Sequence, residues 1–261
     1  MSSSLAAFRI AGLPPDFYYI PNFISVEEEA SILQKIPAQR WTHLTRRRLQ
    51  AHPSTLTKNN TLLAAPLPAY LTHPVFQRFK ERGVFEGTPH RQPNHVLINE
   101  YRPGEGIMPH EDGGAYAPVV ATVSLGGAVC LEVSSKASGN EDDGTTTSEP
   151  ADCKDSEGSL DEGLTSTMGY TIPTRIFQEP RSLLITTGVA YRDLLHGIAS
   201  VEVDEGLSAK TVANWGLLAE PGVIEDAGGR NVRGTRISLT YRDVLKVSSA
   251  ASKVFGGLQK R

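Results

Sequence analysis

The sequence predicts a mostly β fold with flanking helices, in which the strands form an antiparallel sandwich or barrel. Strand-like runs follow one another from residue 95 onward and are separated by turns rich in Gly and Pro. The helical patterns, by contrast, lie before residue 95. With 261 residues, the chain is long enough for one substantial core or at most two small ones.

The first predicted elements are a short strand and a helix. Residues 17–24 are aromatic and β-branched, which favours a strand or an extended entry segment. Ser25 and Glu28 have the spacing of a capping box, so a helix is expected to start there and to run through about Ile36. Pro37 then ends it, because proline cannot continue a helix.

A second helix is predicted over residues 74–82, with Gly83 just past its end in the position that favours a left-handed cap. Between the two helices, residues 40–50 alternate poorly and carry four arginines, so they are expected to form an exposed strand or loop.

The β region contains five strand-like runs with turns between them. They span residues 96–101, 119–125, 129–133, 182–187 and 236–242. Residues 134–168 interrupt this series and are acidic, rich in Ser, Thr and Gly, and nearly free of apolar side chains. Such a segment cannot bury enough surface to order itself, so we predict a disordered insertion within the β region. A solvated loop is favoured over an electrostatic regulator of access.

Composition excludes several classes of protein. The net charge of −3 gives no global positive field of the kind that marks many nucleic-acid-binding proteins. Cys130 and Cys153 are too few for a disulfide scaffold or a zinc ribbon, which favours a reducing compartment. Residues 1–14 show no secretory signal, and no apolar run is long enough to span a membrane.

The strongest candidate for chemistry is the triplet His110-Glu111-Asp112, with His196 much later in the chain. Two imidazoles and one carboxylate are the protein ligands that a mononuclear non-haem iron(II) site needs. On an extended segment His110 and Asp112 point to the same side, so both can reach one metal if another strand brings His196. Alone, however, His-x-Asp is more often part of a charged surface loop.

The last strand-like run carries a second pattern. Period 2 places Arg236, Ser238, Thr240 and Arg242 on one face of that strand. This face either borders solvent, which the pattern alone slightly favours, or lines a pocket for an anion such as a dicarboxylate.

Asn99 and Tyr101 likewise share one face of an earlier strand. Both side chains can donate hydrogen bonds to an oxygen-rich ligand beside the metal. A partly exposed strand end is an equally good interpretation.

Taken together, these pieces resemble a known family. The order of Asn99-x-Tyr101, His110-x-Asp112, His196 and the Arg236 to Arg242 strand resembles the AlkB-type iron(II)/2-oxoglutarate dioxygenases. Several longer phrases resemble one branch, the sixth eukaryotic AlkB homologue: Asn-His-Val-Leu at 94–97, the run from Pro103 to Gly113, Glu-Pro-Arg-Ser-Leu-Leu at 179–184, and Val-Arg-Gly-Thr-Arg at 232–236. The resemblance covers roughly residues 15–247.

The resemblance implies a double-stranded β-helix, or jelly-roll, core over residues 95–247 with the insertion at about 134–168. Residues 15–94 would supply N-terminal helices and a substrate lid. Residues 1–14 and 248–261 would be tails.

The resemblance also implies a role for each matched residue. The iron ligands would be His110, Asp112 and His196. The residues that hold 2-oxoglutarate would be Asn99, Tyr101, Arg236, Ser238 and Arg242. Arg236 would bind the distal carboxylate, while Arg242 and Asn99 would lie nearer the keto-acid end.

The implied chemistry requires Fe(II), 2-oxoglutarate and dioxygen. Oxidative decarboxylation of 2-oxoglutarate yields succinate and carbon dioxide, coupled to hydroxylation of a substrate C–H. If that carbon is an N-methyl, the product collapses and releases formaldehyde. The expected partner is nucleic acid, as a single strand or a flipped base, and the expected protein is a monomer of the cytoplasm and nucleus with no membrane contact.

Two features bear on the substrate. In bacterial DNA-repair members an acidic residue two positions after the iron aspartate helps to read the methylated base, but here that position is Gly114. Arg46, Arg47 and Arg48 lie in the lid region, where they either contact phosphates or form a solvated face. Two alternatives remain open: the same chemistry on a protein or small-molecule substrate, and a non-catalytic nucleic-acid-binding jelly-roll.

Overall fold

The computed structural model describes residues 5–136 and 172–248, and β-strands dominate these two stretches. The strands are β1 Phe17–Ile20, β2 Thr42–Leu44, β3 Arg47–His52, β4 Thr61–Leu63, β5 His95–Tyr101, β6 Ile107–His110, β7 Tyr116–Gly126, β8 Val129–Ser135, β9 Thr174–Gln178, β10 Leu183–Thr187, β11 Leu194–Ile198, β12 Val203–Asp204, β13 Asn231–Val232, β14 Arg236–Val244 and β15 Lys246–Ser248. The α-helices are α1 Val26–Lys35, α2 Ala69–Thr72, α3 Val75–Arg82, α4 Gly188–Asp193 and α5 Pro221–Asp226. Among the described helices, none has both the length and the apolar character needed to cross a membrane.

The predicted start of the first helix is confirmed. The Ser25 hydroxyl accepts a hydrogen bond from the Glu28 backbone N–H, and the Glu28 carboxylate accepts one from the Ser25 backbone N–H, which completes the capping box. The second predicted helix is also present as α3. It ends at Gly83, whose φ of +67° is the left-handed conformation that glycine adopts without a steric penalty.

Two antiparallel sheets form the frame that positions the site. The large sheet has the order β1-β10-β7-β14-β5-β3-β2, and the small sheet has the order β6-β11-β8-β9. Along the chain, β5, β7, β10 and β14 of the large sheet alternate with strands of the small sheet, and β8 and β9 are consecutive within the latter. This alternation is a jelly-roll, so the predicted fold class is confirmed.

Two hydrophobic layers hold the sheets in place. On one side of the large sheet, α1, α2 and α3 pack through residues such as Ile32, Leu71 and Phe79. On the other side, the space between the sheets is filled from both faces, for example by Leu184 of the large sheet and Leu131 of the small one. Strand period 2 explains how one strand serves both layers: Leu183 and Ile185 lie in the first layer, whereas Leu184 lies in the second.

The N-terminal region is integrated with the core. Strands β1, β2 and β3, which precede residue 95, extend the large sheet on its two sides. The prediction of a tail over residues 1–14 is wrong for its second half. Ile10 and Leu13 are fully buried, because they pack with Phe17 and Tyr19 in the layer between the sheets.

The insertion and the C-terminal tail can be compared only at their edges. Ser134 and Ser135 still belong to β8, so the insertion starts later than predicted, and residues 137–168 lie outside the described residues. At the other end, β15 pairs in parallel with β4 through Ser248, and residues 249–261 lie outside the described residues.

Candidate active site

A cavity of about 110 Å³ lies between the two sheets. The large sheet contributes the polar face of β14 and its neighbours, and the small sheet contributes β6, β8, β9 and β11. The predicted site residues that line this cavity are Asn99, Tyr101, His110, Asp112, His196, Arg236, Ser238, Arg242 and Arg47. The structure therefore brings together every predicted site residue except Arg46 and Arg48.

The three candidate iron ligands meet at one end of the cavity. His110 of β6 and His196 of β11 are direct partners in the antiparallel register, although they are 86 residues apart in sequence. Their ring centroids are 4.5 Å apart. Asp112 lies two residues after the end of β6, and its Oδ2 is 4.0 Å from His196 Nε2.

A backbone carbonyl fixes the tautomer of His110. The Nδ1 atom lies 2.9 Å from the carbonyl oxygen of Met108. Since a carbonyl oxygen can only accept, Nδ1 carries a proton, and Nε2 is the ring nitrogen left for a metal ion. A hydrogen bond of this kind orients a histidine for metal ligation through Nε2.

The Asp112 side chain is only 4% exposed and is held by Arg242, whose Nη2 donates to Oδ1. Burial by itself raises the pKa of Asp112, but the charge of Arg242 and its hydrogen bond act in the opposite direction, and the net effect brings the pKa below the ordinary value. The carboxylate is therefore ionised at neutral pH.

Burial lowers the pKa of His196 to about 4, although Asp112 opposes the shift. The ring is neutral at pH 7, which is the form that binds metal ions.

The donor set of this cluster fits iron(II), since it offers two imidazoles and one ionised carboxylate. Their arrangement is not that of a ready-made metal site. Within residues 5–136 and 172–248, no group of three His, Cys, Asp or Glu side chains is placed to hold an ion. The bond from Arg242 to Asp112 Oδ1 occupies one of the oxygens that a metal would use.

The loop after Asp112 is fastened to α4 and β8. The Tyr191 hydroxyl donates to the carbonyl oxygen of Gly113 at 2.8 Å. Lys136, just beyond β8, pairs with Glu111 and also donates to the carbonyl oxygen of Arg192. These contacts hold the segment that carries Asp112 against α4 and the end of β8.

The opposite end of the cavity is formed around Arg236. Its side chain is buried, and burial lowers the pKa of Arg236 to about 10, so the guanidinium remains charged at pH 7. The guanidinium lies 5.8 Å from the ring centroid of Tyr101, which is its cross-strand partner. Its Nε atom is buried and has no hydrogen-bond partner among the described residues.

The polar face of β14 faces the cavity and not solvent. Arg236, Ser238, Thr240 and Arg242 are all buried. The solvent-facing interpretation, which the pattern alone slightly favoured, is wrong because β14 lies in the middle of the large sheet, between β7 and β5.

The same holds for Asn99 and Tyr101. Both are buried, and each is paired across β5 and β14 with a site residue: Asn99 with Ser238, and Tyr101 with Arg236. The interpretation of these two positions as an exposed strand end is therefore wrong as well.

The three arginines at 46–48 do not form one cluster. Arg47 lines the cavity, with its Nε buried and unpaired among the described residues. Arg48 points to the other side of β3, where it forms an ion pair of 2.7 Å with Glu100 and lies 4.5 Å over the ring of Trp41. Arg46 is exposed at the turn and donates to Ser200 Oγ at 3.1 Å. Arg47 and Arg48 lie on opposite faces of β3 because successive side chains of a strand alternate, and Arg46 lies in the turn before it.

Sequence reasoning missed several residues of the site. Gln178 lines the cavity at the end of β9, and Ser124 of β7 contacts Arg236 beside it. Tyr116 lies under the Arg242 guanidinium at 5.0 Å. A single Gln or Ser in a strand gives no signal of its own, although Ser124 belongs to a strand that the sequence predicts.

Comparison with known proteins identifies the family. A model of the 2OG-Fe(II) oxygenase superfamily matches residues 16–242. The chain belongs to this superfamily. A Danio rerio protein named "Probable RNA/DNA demethylase ALKBH6" is 34% identical over 249 residues, which cover 94% of this chain and 93% of that protein.

Two further similarities are more distant. The Macaca fascicularis protein "tRNA (carboxymethyluridine(34)-5-O)-methyltransferase ALKBH8" is 24% identical over 249 residues, 90% of this chain but 31% of that protein. The chain thus spans about a third of that relative. The solved structure of OsALKBH1 is 13% identical with a TM-score of 0.48, over 88% of this chain and 99% of that one.

These findings confirm the predicted resemblance to AlkB-type dioxygenases and the enzyme class. The protein is an oxidoreductase of a family that uses Fe(II), 2-oxoglutarate and dioxygen.

Proposed function

We propose that this protein is an oxidative demethylase of alkylated nucleic acid. The observation that carries the proposal is one cavity with two different ends. The His110, Asp112 and His196 side chains meet at one end, and the buried charge of Arg236 lies at the other. A 2-oxo dicarboxylic acid has matching ends, since its keto-acid group chelates a metal and its distal carboxylate pairs with a guanidinium.

In this proposal the chain's residues have distinct tasks. His110, Asp112 and His196 hold iron(II), and Asn99, Tyr101, Arg236, Ser238 and Arg242 hold 2-oxoglutarate. When bound, iron and 2-oxoglutarate supply the oxidising chemistry that consumes dioxygen and releases succinate and carbon dioxide.

The rest of the cavity lining excludes water from the reaction. Apolar side chains from both sheets line it, among them Leu131, Leu184 and Ile198. Exclusion of water protects a reactive species from side reactions and strengthens each electrostatic contact inside. Arg242 holds the Asp112 carboxylate through a hydrogen bond to Oδ1.

Nucleic acid as the substrate is supported by two observations. The relative from Danio rerio carries the name of a probable RNA/DNA demethylase. Arg46 and Arg47 belong to the β2–β3 hairpin, where Arg47 borders the cavity and Arg46 is exposed, so both are available to phosphates. Residence in the cytoplasm and nucleus stays a prediction that accompanies this proposal.

The test is an incubation of purified protein with Fe(II), 2-oxoglutarate and a panel of N-methylated DNA and RNA oligonucleotides. We expect formaldehyde and succinate in equal amounts with at least one methylated oligonucleotide, and none with its unmethylated counterpart. Asp112→Ala serves as the matched inactive control.

Two other outcomes would refute nucleic-acid demethylation and identify the alternative. Succinate without formaldehyde across the whole panel would favour the same chemistry on a protein or small molecule, which the net charge of −3 and Gly114 keep in view. Oligonucleotide binding without any succinate would favour a non-catalytic binding protein.

A further inference from the structure

Arg236 is held by two neutral side chains, one from each sheet. Its Nη2 donates to Gln178 Oε1 at 3.0 Å and to Ser124 Oγ at 3.0 Å. The Ser124 hydroxyl in turn donates to Gln178 Oε1 at 3.2 Å. Gln178 belongs to the small sheet and Ser124 to the large sheet, and both are almost completely buried. The guanidinium is therefore fixed from two directions.

The absence of a carboxylate distinguishes Arg236 from the other strongly buried arginines of the described chain. Arg233 is paired with Asp204, and Arg242 is paired with Asp112. Within the described stretches, Arg236 forms no ion pair, and its Nε lacks any acceptor. Burial of an unpaired charge is costly, so such a site persists where a ligand supplies the missing anion.

We propose that Gln178 and Ser124 are positioning residues that keep Arg236 oriented but not neutralised, and that the neutrality of Gln178 makes the cavity selective for a dicarboxylate. This inference rests on the proposed assignment of Arg236 to 2-oxoglutarate.

The physical reason lies in what each side chain offers. An amide oxygen and a hydroxyl oxygen satisfy Nη2 without adding charge, so the net positive charge remains available to the co-substrate. Glutamate at position 178 has nearly the same shape as glutamine, but it adds a carboxylate at the same distance. That internal anion would compete with the distal carboxylate of 2-oxoglutarate for one guanidinium.

The experiment measures binding without turnover. The full chain, loaded with Fe(II) under anaerobic conditions, is titrated with 2-oxoglutarate and, separately, with 2-oxobutyrate, which has the same keto-acid group but no distal carboxylate. Binding is followed by the visible absorption of the iron–keto-acid complex and by the thermal unfolding temperature. The variants are Gln178→Glu, Gln178→Leu, Ser124→Ala and Arg236→Ala, and Gln92→Glu is the matched control for adding an exposed charge.

We expect Gln178→Glu to weaken 2-oxoglutarate binding about 30-fold or more, the range expected when a charge-assisted hydrogen bond is removed. Gln178→Leu and Ser124→Ala should weaken it about 3- to 10-fold, because orientation is lost but charge is kept. Binding of 2-oxobutyrate should stay within about 2-fold throughout, since that acid has no group for Arg236. Gln92→Glu should change neither affinity.

Equal weakening of both acids by the Gln178 variants would overturn the proposal, because a merely structural role affects both. Unchanged 2-oxoglutarate affinity in Gln178→Glu would overturn it too. If Gln178→Glu fails to fold, Gln178→Leu and Ser124→Ala decide by the same comparison of the two acids. Arg236→Ala distinguishes failure of the proposed function from failure of the positioning role. Normal 2-oxoglutarate binding in Arg236→Ala refutes the assignment of Arg236 to the co-substrate. A large loss of binding in Arg236→Ala, together with normal binding in the Gln178 variants, refutes only the positioning role.

Discussion

Arg233 and Arg236 lie only three residues apart and are equally buried, but they differ in their partners. Arg233 is 5% exposed and Arg236 is 3% exposed, so both guanidinium groups are removed from water to the same extent. Arg233 donates to both oxygens of Asp204, at 3.0 and 2.5 Å, and to the carbonyl oxygen of Ala199 at 2.6 Å. Among the described residues, Arg236 has only the neutral acceptors Ser124 and Gln178. The first charge is paired with a carboxylate, whereas the second has no anion among the described residues.

The surroundings of Asp204 show that the Arg233 pair is structural. Asn231 also donates to this carboxylate, at 2.9 Å, so Asp204 joins β12 to β13. The pair lies in the segment that leads into β14 and fixes where that strand begins. The buried charge of an arginine is thus not in itself a sign of a binding site, because the Arg233 charge is balanced by Asp204.

Arg242, at the far end of β14, combines both properties. It has a carboxylate partner, as Arg233 does, but that partner is Asp112, a candidate iron ligand. The ion pair therefore lies within the candidate site. The Asp112 carboxylate has two possible partners, which are Arg242 and an iron ion.

The largest expected effect comes from removing that carboxylate. Asp112→Ala, like His110→Ala, should abolish iron binding and succinate production, because two ligands do not hold the metal in an open three-ligand site. Metal content after Fe(II) loading and succinate release measure the effect. Asp204→Ala is the contrasting carboxylate, since it should keep iron binding in the fraction that remains folded. Succinate at the wild-type rate in either site variant would refute the ligand assignment.

The structural pair should instead affect stability. Asp204→Ala leaves the Arg233 guanidinium buried without an anion, and breaking such a pair costs about 3–5 kcal/mol of the free energy of unfolding. Denaturant titration gives this value directly. Arg236→Met removes a charge that has no carboxylate partner among the described residues and fills a similar volume, so it should cost less stability. An equal loss in the free energy of unfolding from Arg236→Met would contradict the contrast between Arg233 and Arg236.

Arg236 is expected to matter for ligand affinity and little for stability. Arg236→Ala should raise the 2-oxoglutarate requirement of turnover about 10- to 100-fold, which corresponds to the removal of one charge-assisted hydrogen-bonded pair. Iron content should not change, because Arg236 lies at the other end of the cavity from His110 and Asp112. The concentration dependence of succinate release measures the requirement, and an unchanged value would rule out this role.

Sequence patterns predicted which residues share one face of a strand, but not what that face contacts. Period 2 correctly grouped Arg236, Ser238, Thr240 and Arg242, and the capping box at Ser25 located the first helix. Whether the polar face of β14 met solvent or a pocket depended on its neighbours β5 and β7, which are more than a hundred residues earlier in the chain. The pattern alone left both interpretations open and slightly favoured solvent, and the resemblance to a family favoured the pocket.

Residues that act through another side chain had no pattern to reveal them. Gln178 reaches Arg236 because β9 of the small sheet ends opposite β14 of the large one, a contact between elements 58 residues apart. Ile10 and Leu13 were missed for a related reason: two apolar residues in a short N-terminal segment form no periodic pattern, yet both fill the layer between the sheets.

The smallest expected effect concerns the β2–β3 hairpin, where the same distinction between paired and unpaired arginines applies. Arg48 is committed to Glu100, whereas Arg46 and Arg47 have no carboxylate partner among the described residues. If nucleic acid crosses this hairpin, Arg46→Ala with Arg47→Ala should weaken binding of a single-stranded oligonucleotide. The slope of log affinity against log salt should fall by about 0.7 for each phosphate that the variant no longer neutralises.

Arg48→Ala is the matched control for that measurement. It should leave the salt slope unchanged and act only on stability, since its charge is already balanced by Glu100. The same affinity and slope in the double variant as in the wild type would show that nucleic acid does not use this hairpin. A slope that falls with Arg48→Ala instead would mean that the ion pair with Glu100 opens on binding, and that pairing in the free protein does not identify the arginines reserved for a ligand.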